Sequence, residues 1–228
     1  MVRQAVVEIL PFVFGLIAAP LPVAAVILLL MAKGGRGKAL AFVVVWVAVV
    51  FVLCAVVALA TGGAGESGTE SSPAWVGWIQ LVIGLLLLAL AIRALRQHLA
   101  RPKDAAFEPP TWLSAIDSLG TVKVVGLSAL LSGVNPKNLA MVLGAGAAVG
   151  SFGLGAGEAA STALVFAVLG SLGLIVPFVA VLATGSHGTH ALERARIWLI
   201  ANNDTVTMTV LFVFGAVLAS KGLRALVG

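Results

Sequence analysis

Four residues inside an apolar run, Asn135-Pro136-Lys137-Asn138, carry more chemistry than anything around them. Lysine supplies a full positive charge with three N–H donors, and the two amides supply donors and acceptors together. Pro136 cannot donate a helical hydrogen bond and clashes with the preceding turn, so it interrupts any helix that contains it. Asn135 is a favoured N-cap and Pro136 suits the first helical position, which predicts a new helix starting at 136. Unpaired amides at that start, beside the Lys137 charge, attract anions. The four residues are therefore candidate substrate-binding groups for an anionic or hydroxyl-rich ligand. The competing explanation is structural, because proline is tolerated in membrane helices and an isolated kink is often a packing device. Against it stands depth: a lysine in mid-bilayer costs about 2.5–3.5 kcal/mol on insertion scales, which calls for a role or a partner.

The elements that position these residues follow from composition. The chain has 228 residues, 61% of them hydrophobic and 10% charged, with mean hydropathy +1.13. Soluble domains carry about 25% charged residues, so this is a membrane protein. Short alternating stretches of a barrel are absent, and backbone groups in lipid must be paired within their own segment, so the spans are helices. A crossing needs about 20 apolar residues. Six segments qualify, 5–30, 39–61, 74–95, 122–149, 157–183 and 205–226. The fold class expected is an all-α polytopic membrane protein.

Of the 14 Lys and Arg, ten lie in the connections 31–38, 93–123 and 184–204, three (Arg3, Lys221, Arg224) lie on the other side, and Lys137 is left over. Basic loops stay in the cytoplasm, which places the chain in the plasma membrane as a multi-pass protein with both termini outside. The basic residues thus orient the protein and do not indicate nucleic-acid binding. In the long connection, Thr111 can cap a short helix whose Trp112, Leu113, Ile116 and Leu119 share an apolar face, expected to lie on the inner leaflet.

A repeat links the two halves. Setting "APLPVAAVILL" (19–29) beneath "NPKNLAMVLGA" (135–145) aligns Pro20 with Pro136. Each proline lies in the first span of a three-span half. Three spans per half invert the second half relative to the first, the pattern of transporters whose paired broken helices form a site at the midplane. The organisation expected is a first three-helix repeat at 1–98, a cytoplasmic loop with an interfacial helix at 99–121, and a second repeat at 122–228. The first and fourth helices break at their prolines, with Pro20 and Pro22 adding to the substrate-binding set. The positive N-terminal ends of the two half-helices are expected to face each other.

Enzyme-like signals are weak. GGRGKA (34–39) lacks the spacer and the Ser/Thr of a phosphate-binding loop. His187 and His190 have ligand-like spacing without a Cys or acidic cluster beside them. Cys54 stands alone, which excludes an internal disulfide or redox pair. Neither enzyme activity nor a metal or cofactor is expected.

Three stretches, "LSGVNPKNLAMVLGAG", "PTWLSAIDSLGTVKVVGL" and "LFVFGAVLASKGL", resemble the actinobacterial glycolipid-addressing proteins, the GAP-like or sulfolipid-1-addressing family, within the lysine-exporter superfamily. The resemblance covers essentially the whole chain. It implies a transporter or translocation factor for cell-envelope glycolipids, with membrane lipids and an anionic or glycosylated lipid as partners. Two other functions remain open. One is export of a small soluble metabolite such as an amino acid. The other is a non-transporting accessory subunit of a larger lipid-export machinery; a homo-oligomer is also compatible. If Lys137 binds substrate, replacing it with Met should cut export while leaving folding intact or improved.

Overall fold

The computed structural model describes residues 1–62, 74–100, 113, 115–184, 194, 197, 198 and 200–227. The 63–73 connection, Thr111, Trp112, His187 and His190 lie outside them. Among the described residues the chain is helical throughout, with no strand. The long helices are α1 (Val2–Ile17), α2 (Pro20–Met31), α3 (Gly35–Gly62), α4 (Ala74–Ala100), α5 (Thr121–Gly133), α6 (Pro136–Gly150), α7 (Ala156–Gly170), α8 (Leu172–Thr184) and α9 (Asn203–Val227).

Three stretches, in α3, α4 and α9, are each long and apolar enough to cross a bilayer alone. Two more crossings arise if α1 with α2, and α7 with α8, each count as one span bent by 60°. Six spans were expected. By length and composition the described helices supply three to five, because 122–149 is divided into α5 and α6, of 13 and 15 residues.

Both expected interruptions occur where proline removes a donor. Helix α1 stops at Ala18 and α2 begins with Pro20 in its first turn. Helix α5 stops at Gly133 and α6 begins with Pro136 behind the cap Asn135. A third interruption, between α7 and α8 at the buried Ser171, was not expected from the sequence. The three meet at one level. Gly170 faces Leu16, Gly173 faces the Ile17 carbonyl and Val23, and the Lys137 side chain reaches the carbonyls of Gly15 and Ala18.

Helices α5 and α6 run in succession beside α3. The Ser128 hydroxyl donates to the Phe42 carbonyl at 2.7 Å, Gly133 faces Val49, Gly146 faces Cys54 and Val57, and Gly150 faces Thr61. Helix α1 packs antiparallel to α6, with Phe12 on Gly144 and Gly15 on Met141.

Helices α4 and α9 pack mainly on each other. Their contact is lined by glycines seven residues apart on each helix, Gly77 and Gly84 against Gly222 and Gly215. A Cβ on Gly84 would stand 2.3 Å from the Ala219 nitrogen, and one on Gly222 would stand 2.4 Å from the Leu81 nitrogen. Only glycine permits backbones this close, as in small-residue membrane helix pairs. The pair is fastened to α1 at its far end by the Lys221–Glu8 ion pair and by Phe12 against Phe214, centroids 6.1 Å apart.

Only part of the expected interfacial helix near 112–119 lies among the described residues. Leu113 is helical and Ile116–Ser118 forms a 3-10 turn, but Leu113 and Ile116 are 2% and 1% exposed and belong to the core. Their apolar face is satisfied by protein, with the turn seated against α2.

Candidate functional site

The start of α6 is built as its sequence dictates. Asn135 is extended (φ −60°, ψ 120°) and its side-chain oxygen accepts from the Lys137 amide at 3.1 Å. Pro136 fills the first helical position, where a missing N–H costs nothing. It also leaves the carbonyl of Ser132 without its usual helical donor.

Asn138 spans the break. Its side-chain amide donates to the Leu131 carbonyl at 2.9 Å, covering an acceptor that the end of α5 would otherwise leave bare. The opposite atom, Asn138 Oδ1, is buried without a hydrogen-bond partner among the described residues.

Lys137 is 6% exposed. Its ammonium donates to the Gly15 carbonyl at 3.4 Å and to the Ala18 carbonyl. Local sequence explains why those acceptors are free. In a continuous helix Ala18 would receive the amide of residue 22, but Pro22 has none. Gly15 would receive the Ala19 amide, which turns instead to the Ile17 carbonyl at 2.8 Å. Pro22 and the turned Ala19 amide thus leave acceptors in the first half that the lysine of the second half occupies, at the negative end of α1. Beside the two positive helix ends expected to face each other, the structure adds a contact that the sequence did not suggest: Lys137 at the start of α6 meets the carbonyl end of α1.

Lys137, Asn135 and Pro136 also form one wall of a cavity of ≈ 320 Å³. The opposite walls come from the α4–α9 pair. Leu90, Arg93, Ala94 and Gln97 of α4 and Thr207 and Leu211 of α9 line it. The spacing i, i+3, i+4, i+7 puts the four α4 residues on one helix face. Arg93 and Gln97 are exposed, whereas Leu211 is buried. The cavity therefore grades from an exposed cationic mouth to a buried apolar lining.

Of the six residues singled out from the sequence, Asn135, Pro136 and Lys137 meet at this cavity. Asn138 lies beneath it in the α5–α6 junction. Pro20 and Pro22 are buried in the first turn of α2 and are not among its lining residues. Sequence reasoning missed Arg93, Gln97 and Thr207. The stripe formed by Leu90, Arg93, Ala94 and Gln97 is the available signal, but in the sequence Arg93 reads only as one of the basic residues that orient the chain. A second cavity, ≈ 610 Å³, lies at the opposite end of the molecule among Arg3, Gln4, Val7, Glu8 and Phe152.

A family model described as "Sap, sulfolipid-1-addressing protein" matches residues 9–224. No curated protein and no solved structure matches the chain.

Proposed function

The chain belongs to the sulfolipid-1-addressing protein family, and from that premise we propose that it is an integral membrane translocation factor for a cell-envelope glycolipid. An anionic or sugar-bearing headgroup occupies the cavity at Asn135–Lys137, and the acyl chains stay in the bilayer. The observation that carries this reading is the cavity itself, which joins a charged wall to lipid-type surface. Leu95 and Leu99 on α4, Phe212 and Val213 on α9 and Val134 beside the break are all large, apolar and exposed. A bilayer is the environment that such surface requires.

The same reading treats α5 and α6 as one interrupted crossing. Together they follow α3 from Phe42 to Thr61, about 28 Å at 1.5 Å per residue, close to the hydrocarbon thickness. Six crossings in two groups of three result, with breaks at Pro20 and Pro136 in corresponding places, as in inverted-repeat transporters. The Lys33, Arg36, Arg93 and Arg96 end then faces the cytoplasm. Kinship with lysine exporters belongs to this proposal. A soluble-metabolite route is less well supported, because the buried interior among the described residues is overwhelmingly apolar.

The deciding experiment is surface glycolipid in a strain deleted for the gene, complemented with the intact chain and normalised to its membrane level. Restored surface lipid is expected. Normal surface lipid in the deletion strain, with a soluble metabolite accumulating inside, sinks the lipid reading. Orientation is tested separately in a Cys54→Ala background. A cysteine placed in 62–73 should react with an impermeant thiol reagent from outside, and one in 96–108 should not; the reverse pattern inverts the topology.

A further inference from the structure

Lys137 and Arg93 face the same cavity from two different bodies, and their circumstances differ. The Lys137 ammonium has three N–H groups, of which two are directed at Gly15 and Ala18, and the side chain is almost wholly buried. Arg93 stands on the α4–α9 pair, is exposed, and makes no ion pair among the described residues. Its planar fork matches two oxygens of a tetrahedral oxyanion, which a lysine cannot do. Gln97, one turn further along, and Thr207 across the mouth add neutral donors at the same level.

We propose that Arg93 is the residue that recognises the charge of the lipid headgroup, as a sulfate or phosphate ester, at the seam between the α4–α9 pair and the body. Lys137, hydrogen-bonded to the carbonyls at the end of α1, keeps the opposite wall in place. The inference rests on the lipid-headgroup reading of this cavity and adds the residue and the charge chemistry. Lipid is favoured over a free anion by the inner lining, since Leu90, Ala94 and Leu211 offer an inorganic ion nothing. A bound headgroup spans the seam, with Arg93 on one side and Asn135 with the first turn of α6 on the other.

The test uses the purified full chain in detergent and measures binding of four probes by native mass spectrometry and thermal shift. The probes are a sulfated galactosylceramide, the same lipid without sulfate, phosphatidylglycerol and inorganic sulfate. The expected result is that the wild type prefers the sulfated lipid to its neutral counterpart by roughly tenfold or more, the scale of one charge-assisted contact. Arg93→Gln should abolish that preference, and Arg93→Lys, which keeps the charge but not the fork, should restore only part of it. An equal Arg93-dependent preference for phosphatidylglycerol supports the same site with phosphate as the charge. If Arg93→Gln retains the preference, this inference falls while the lipid reading stands. If inorganic sulfate alone stabilises the protein as strongly as the sulfated lipid, the occupant is a free anion and the inference is overturned. If no lipid binds the wild type, both fall. A residue that only orients the protein in the membrane would leave the preference unchanged, which separates the two roles.

Discussion

On the translocation reading, Lys137→Met should remove surface glycolipid delivery almost completely and should also lower the melting temperature of the purified protein. The second effect reverses the expectation from sequence, in which deleting a mid-bilayer charge relieves a cost of about 2.5–3.5 kcal/mol. The ammonium donates to the Ala18 carbonyl and, more weakly at 3.4 Å, to that of Gly15, and a charge-assisted bond of normal length contributes about 1.5–3 kcal/mol. Those acceptors have no substitute, because Pro22 cannot donate to Ala18 and water is scarce at that depth. An unpaired carbonyl in such surroundings costs several kcal/mol. The balance favours net destabilisation, on the order of 2 kcal/mol. Adding Pro22→Ala to the Met variant supplies the amide that Ala18 can accept from once the 18–22 turn becomes helical. The double variant should therefore recover part of the lost stability in a thermal melt without recovering lipid delivery. If the Met variant melts at the wild-type temperature and restores full surface lipid, Lys137 is neither clamp nor site.

Gly84→Val should eliminate folded protein from the membrane. The added Cβ falls 2.3 Å from the Ala219 nitrogen, 2.8 Å from its Cα and 2.9 Å from the Gly215 carbonyl. Backbone cannot step aside as a side chain tip can. Overpacking a core costs typically about 1–3 kcal/mol where side chains can adjust, so forcing two helix backbones apart exceeds that range. The α4–α9 pair also forms two walls of the cavity, so any protein that survives should have lost lipid delivery. Gly126→Val on α5, where a Cβ meets nothing within 4 Å, is the control and should accumulate normally. Monodisperse Gly84→Val protein eluting like the wild type on size exclusion would show that the glycines do not hold this pair together.

Much of this architecture was legible in the chain. Hydropathy specified the membrane and the helices, because each span must pair its own backbone groups in lipid. Breaks at Pro20 and Pro136 were legible because a missing amide is a property of the residue itself, and Asn135 as a cap followed from the same local rules. Ser171 was not legible as a break: Gly170-Ser171-Leu172-Gly173 lacks a proline, and its bend appears where α7 and α8 pass Leu16 and Ile17. The face of Leu113 and Ile116 was recognised as apolar, but periodicity does not say whether lipid or protein covers it.

What the sequence determined, then, was which groups would be left wanting partners: a lysine deep in an apolar segment, an interrupted helix end, and carbonyls deprived of donors by Pro20 and Pro22. Which groups satisfy which was decided only by packing. Lys137 finds Gly15 and Ala18 across 122 and 119 residues of chain, and Arg93 reaches the mouth of the same cavity on a different helix pair. Proline's missing amide and the helical repeat act over one or two turns and can be read along the chain. A hydrogen bond between segments so far apart depends on how antiparallel helices settle against each other, and that is set by glycine contacts and side-chain shapes from several helices at once.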